Sequence, residues 1–463
     1  MNTSSSLRVL SAAAATLLGM GCNKDSAEEK RLTRSSDKPA VVLVGETEAS
    51  GDAIAEVEPN NEVTEAQQLE SGVSATGSLD GSDDVDRYAF VAASTGLLFV
   101  TASGGQEADL ILALHDASGT ALAKSDRGPS GTLEGLPGFG VEAGSKYQFV
   151  VGEFVGRKLR KAGGRKGPSG AYRLAWRIEE DAESGFEREP NEEASGASEI
   201  LIGEERRGFV GWGGDQDLWR LPITGFGEVV ANSDDGAASS KEALHIVVTG
   251  IPGVATRLAL LGPSGEQIVE RSAGKGEELA VRNLLPEVGV DSYTIRVSGK
   301  SSNPEESYML RVDTAEIGPG TEEEPNDSQA TATPLGGNDS TLLIARGEIT
   351  NGDSDYFQLA PVTYDRILEL RLSGAAGADL DISVVAESGA VLAEGLTVGA
   401  GVGETLSQVP VGQGLSPLLK VHAKTVKSPA SYELSLSLIR GTAVPAPAPL
   451  PTPSDSNILP QPE

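Results

Sequence analysis

Hydrophobic and polar positions alternate with a period of two in short runs throughout this chain. Tyr172-Arg-Leu-Ala-Trp-Arg-Ile, Tyr308-Met-Leu-Arg-Val and Tyr432-Glu-Leu-Ser-Leu-Ser-Leu each read as a half-buried β-strand. Ahead of the first lie Tyr88-Ala-Phe-Val, Leu97-Leu-Phe-Val-Thr-Ala, Leu110-Ile-Leu-Ala-Leu and Tyr147-Gln-Phe-Val-Val, separated by clusters of Gly, Pro, Asn and Asp. Short strands with turn residues between them predict an antiparallel sandwich or barrel with little helix. Tight reversals are expected at Asp116-Ala-Ser-Gly119, Gly262-Pro-Ser-Gly265 and Ala386-Glu-Ser-Gly389, where glycine supplies a positive φ.

The pattern repeats. Glu-x-Glu-Pro-Asn occurs at Glu56–Asn60, Glu187–Asn191 and Glu322–Asn326. Six residues past each Asn stands an Ala (Ala66, Ala197, Ala332), and nine past it an aliphatic residue (Leu69, Ile200, Leu335). Asp-x-Asp-x-aromatic follows at Asp84–Tyr88, Asp215–Trp219 and Asp353–Phe357, with 28, 28 and 31 residues from the second Glu to the second Asp. One module is therefore used three times. The units run over about 56–180, 187–315 and 322–440, each closing on its Tyr-initiated strand. A single helical turn is expected after each Glu-Pro-Asn.

Taken together, Glu-Pro-Asn, a Gly before Asp-x-Asp-x-aromatic, Ala-Asp-Leu (Ala108-Asp109-Leu110 and Ala378-Asp379-Leu380), the Ser-Gly turn and the closing Tyr strand resemble the bacterial pre-peptidase C-terminal domain. The resemblance covers nearly all of 56–440, although the second repeat has Thr256-Arg257-Leu258 in place of Ala-Asp-Leu. It implies an all-β chain of three tandem antiparallel jelly-roll-like sandwiches with flexible N- and C-terminal tails. That family is usually appended to secreted peptidases and is similar to the collagen-binding domains of bacterial collagenases.

The ends carry a different composition. Arg8 precedes an apolar stretch from Val9 to Met20, too short to span a bilayer and suited to a signal peptide. Cys22 is the only cysteine, and Leu18-Gly19-Met20-Gly21-Cys22 resembles a lipobox. Residues 1–22 thus read as a lipoprotein signal with Cys22 the lipidated residue, 23–55 as a flexible tether and 441–463 as a Pro-rich tail. Asn23 after the cysteine favours the outer membrane or cell surface. Removing residues 1–22 takes only Arg8, leaving 36 basic against 68 acidic groups, a net of −32, which argues against a nucleic-acid partner.

Catalytic constellations are not evident. His115, His245 and His422 stand at non-equivalent positions, one per repeat, and there is no His-Glu-x-x-His, no Gly-x-Ser-x-Gly and no cysteine besides Cys22. Gly299-Lys300-Ser301 lacks the upstream glycine of a phosphate loop. The chain reads as non-enzymatic: a lipid-anchored cell-envelope protein whose modules bind or space an extracellular protein or envelope polymer. The alternative is an accessory subunit of a separately encoded secreted peptidase.

Acidic groups offer a candidate metal site, calcium being the ion that takes six to eight oxygen ligands. Glu56, Glu58, Asn60, Asn61, Asp84 and Asp86 converge if the first segment folds back over the Asp-x-Asp hairpin. The corresponding sets are Glu187, Glu189, Asn191, Glu192, Asp215 and Asp217, and Glu322, Glu324, Asn326, Asp327, Asp353 and Asp355. In collagen-binding relatives a comparable segment holds calcium, and the resemblance implies the same here. The competing reading is structural: Asn caps the helical turn and the Asp pair closes a turn on backbone amides. Arg157, Lys158, Arg160, Lys161, Arg165 and Lys166 form a basic loop in the first repeat, read either as a docking point for phosphate groups or an acidic partner or as an ordinary solvated, protease-accessible loop. Trp219 shares the core position of Tyr88 and Phe357, which leaves Trp212 as the aromatic free for sugar stacking.

Overall fold

The computed structural model describes residues 53–440 apart from 105–108, 155–169, 181–184, 225, 227–240, 337–341, 398 and 427–428. Cys22 and the basic loop from Arg157 to Lys166 lie outside the described residues. Among the described residues the chain is all-β, with one short 3-10 turn at Gln329–Thr331.

The third repeat shows the plan. One sheet orders its strands Leu343–Ile349, Ala430–Arg440, Arg366–Leu372, Glu404–Val411. The other orders Thr333–Leu335, Ser354–Leu359, Leu418–Val426, Ala378–Val385, Val391–Gly395. The alternation in Ala430–Arg440 places Tyr432, Leu434, Leu436 and Leu438 inward and Glu433 outward. Between the sheets lies a core that includes Phe357, Leu368, Leu380, Ile382 and Val421. The second repeat has the same two orders, ending on Leu279–Leu284 and Gln267–Lys275. So does the first, with Ile54–Ala55 as a fifth strand at the start of its first sheet and the sheets ending on Glu134–Val141 and Ala121–Ser125, and each repeat has its own core cluster.

The all-β, mainly antiparallel architecture is as expected, and two details refine it. One short pair in each repeat is parallel: Gln67–Gln68, Ser198–Glu199 and Thr333–Leu335 run alongside the Asp-x-Asp strand in its own direction. In each case the intervening strand belongs to the opposite sheet, so the chain returns in its original direction. The tether also ends earlier than residue 55, because Ile54–Ala55 pairs in parallel with Ala75–Thr76. The three Ser-Gly turns are as expected, with φ of 87, 84 and 85° at Gly119, Gly265 and Gly389.

Successive sandwiches meet through one repeated joint. The edge strand Glu134–Val141 offers the Gly138 carbonyl to the Glu189 amide at 2.9 Å, and the Gly140 amide donates to the Glu189 carbonyl at 2.8 Å. Leu279–Leu284 does the same for Glu324: Asn283 accepts at 3.0 Å and Leu285 donates at 3.0 Å. Each edge strand carries a bulge, which puts Gly138 at φ 73°, Asn283 at 54° and, in the third sandwich, Gln408 at 60°. The second Glu of the phrase is thus both the start of a site and the docking point of the preceding sandwich.

Candidate acidic site

Each Glu-x-Glu-Pro-Asn phrase lies across the Asp-x-Asp hairpin of its own repeat, and its Glu-Pro bond is cis in all three. In the second repeat Glu187, Glu189, Asn191, Asp215 and Asp217 are all buried, while Glu192 is exposed. Glu187 accepts from the Phe209 amide and, at 3.2 Å, from Asn191 Nδ2. Glu189 Oε2 accepts from the Asn191 amide at 2.8 Å, and Asp215 Oδ2 from the Gly211 amide at 2.6 Å. Asp217 Oδ2 accepts from the Tyr308 hydroxyl at 2.7 Å, which in turn receives Trp219 Nε1 at 2.8 Å.

Four oxygens are left over there: Glu189 Oε1, Asn191 Oδ1, Asp215 Oδ1 and Asp217 Oδ1 are buried without a partner. Carboxylate oxygens of Glu187, Glu189 and Asp217 approach within 4.8 Å of one another, as do those of Glu189, Glu192 and Asp215. Burial, reinforced by neighbouring carboxylates, pushes Glu187 and Asp217 well above the usual range, Glu189 up to about 11 and Asp215 to about 7. Buried polar atoms without partners are costly, so this arrangement calls for a cation or for shared protons.

The third repeat differs. Arg271, 2% exposed and carried on the second sandwich, reaches Glu324 at 2.6 Å, Asp353 at 2.7 Å and Asp327 at 2.9 Å. Tyr432 donates to Asp355 at 2.6 Å, and Asn283 Nδ2 donates to Glu322 at 3.0 Å. Both side-chain polar atoms of Asn326 and Oδ1 of Asp355 remain buried without partners. In the first repeat no sandwich precedes the phrase among the described residues. Asn60 and Asp86 are buried, with both Asn60 side-chain polar atoms unpartnered, whereas Glu58 and Asn61 are exposed. Glu56 accepts from the Ser78 amide at 2.9 Å, and Glu56, Glu58 and Asp86 converge within 4.8 Å.

The two readings of these residues divide between positions. The first Asp of each pair does close a turn, Asp84 on the Asp80 amide at 2.6 Å and Asp353 on the Thr350 amide at 3.1 Å. The Asn does not cap: the 3-10 turn begins at Ser328, and the Asn326 side chain points elsewhere. Trp212 is not a free platform either. It is buried and packs with the core of the first sandwich, because the joint needs an apolar cover.

Sequence reasoning missed Tyr172, Tyr308 and Tyr432, whose hydroxyls hold Asp86, Asp217 and Asp355. The signal was available, since each opens the last strand of its repeat. It missed Gly77, Gly208 and Gly347 as well, where a Cβ would overlap the first Glu and the Tyr hydroxyl. Arg271 carried no signal, having no counterpart in the other repeats.

No family model matches the chain, and no curated protein matches it. Among solved structures, the pre-peptidase C-terminal domain of a collagenase from Bacillus anthracis aligns at 19% identity over 26% of this chain and 100% of that one, with a TM-score of 0.19. The PBSX exported protein XepA aligns at 10% identity, 47% and 88% coverage and TM-score 0.14. A triple jelly-roll protein of an archaeal virus turret aligns at 8% identity, 81% and 84% coverage and TM-score 0.16. At such scores these likenesses carry no argument about the site.

Proposed function

We propose that the chain is a non-catalytic, lipid-anchored cell-envelope protein. Its three pre-peptidase C-terminal-like sandwiches form a binding and spacer array that engages an extracellular protein or envelope polymer. The observation that carries this reading is the joint: the same backbone pairing is used at Glu189 and at Glu324, so the modules are built to be held in series rather than to enclose a cleft. The acidic site beneath the first joint is assigned to calcium. Its donors are oxygens, its unpartnered atoms are buried, and the described residues place no arginine or lysine in an ion pair with its carboxylates. Bound there, the ion would supply charge neutralisation; Tyr308 orients Asp217, and the Phe209 and Gly211 amides orient Glu187 and Asp215.

Anchoring is assigned to Cys22, and the test is fractionation. Cys22→Ala should move the protein from the membrane to the soluble fraction, because a single lipid-bearing residue is the anchor in this reading. A variant that stays with detergent-extracted membranes contradicts it. A pull-down from envelope extract with the released variant, with calcium and with chelator, then identifies the partner; recovery of a peptidase would replace the spacer reading with the accessory-subunit one.

A further inference from the structure

We propose that Arg271 is a built-in replacement for the metal ion, a cation that the second sandwich inserts into the site of the third. The inference rests on the calcium reading of the second site and sharpens it by separating the sites. Pairing register fixes the comparison. Seven residues before the Ser-Gly glycine, Leu112, Leu258 and Ile382 stand opposite Ser125, Arg271 and Gly395. The three positions are equivalent, and only one is charged.

Arg271 contacts Glu324, Asp327 and Asp353. The matching residues of the second repeat are Glu189, Glu192 and Asp215, the trio whose carboxylate oxygens gather within 4.8 Å. The residue of the first sandwich equivalent to Arg271 is Ser125, whose hydroxyl is turned to Glu134 at 2.6 Å. Among the described residues the same three carboxylates therefore ion-pair with a guanidinium in one joint and with no basic side chain in the other. Arginine suits the role, because it stays protonated and presents five donors to several oxygens at once.

Behind Arg271 the third site keeps its metal-type donors. Asn326 is fully buried with both side-chain polar atoms unpartnered, and buried Asp355 has a free Oδ1. An arginine has thus been laid over an otherwise intact donor set. The joint between the second and third sandwiches is in consequence independent of metal, whereas the one between the first and second depends on it.

The test is calcium stoichiometry of the full chain by equilibrium dialysis. Arg271→Ser, which installs the residue of the first sandwich, and Arg271→Met, which retains the apolar stem, should each bind one ion more per chain than wild type. Folded variants with wild-type stoichiometry overturn the proposal. So does a variant that folds in neither chelator nor calcium, since an exposed metal pocket would be rescued by the ion. The calcium reading of the second site is tested separately by Glu189→Gln, which should lower wild-type stoichiometry by one and leave the ion gained by Arg271→Ser in place. Wild type without a second-site ion, beside variants that gain one, would sink that reading and keep this proposal.

Discussion

A carboxyl group buried beside its own kind holds its proton unless a cation replaces it, and the second site contains several such groups. Asp215 titrates at about 7, raised first by burial, against roughly 4 for an unfolded Asp. The stability this group contributes is fully present below its unfolded value and is lost as pH rises through about 7. Glu187, Glu189 and Asp217 are raised as well, so they add in the same direction. Chelated protein should accordingly denature at lower urea concentration at pH 8 than at pH 5.5, and calcium should restore the pH 8 midpoint while changing the pH 5.5 midpoint little. Trp219 fluorescence reports it, as the indole lies in the same hydrogen-bonded chain. The acidic members of the site were legible in the sequence because their spacing is kept. The role of Asn326 was open between a cap and a ligand, and only the position of the turn at Ser328 decides against the cap. Trp212 was misread because a sequence does not say which surface a neighbouring module will cover.

Among the elements, period-2 alternation made the inward faces of strands such as Ala430–Arg440 readable, and Gly119, Gly265 and Gly389 marked their turns. The joints were not readable. They are made by backbone groups of one residue, Glu189 or Glu324, and by a bulge whose left-handed residue is Gly in one sandwich, Asn in another and Gln in the third. Left-handed backbone disfavours a residue with a Cβ by roughly 1–2 kcal/mol, while glycine costs roughly 0.5–1 kcal/mol in chain entropy. Gln408→Gly should therefore stabilise the third sandwich by about 0.5 kcal/mol in chemical denaturation. Asn283→Gly should destabilise instead, because its amide also donates to Glu322 and its oxygen meets His245. The position after the bulge repays comparison too. Where Gly140 and Leu285 donate to the next sandwich, the third repeat has Pro410, which has no amide hydrogen to give. The edge strand of the third sandwich thus lacks the amide half of the docking pair.

For the whole molecule, the full sequence has a formal charge of −31, and its modules nevertheless bury carboxylates at their joints. The third site meets this with Arg271, and in the proposed reading the second meets it with an ion. The most direct measurement is an anomalous difference map from calcium-grown crystals of the chain, collected at a long wavelength. A peak among Glu187, Glu189, Asn191, Asp215 and Asp217, and none beside Arg271, is the predicted result. Absence of a peak in the second site, with its carboxyl groups instead joined by short oxygen-to-oxygen hydrogen bonds, would contradict it.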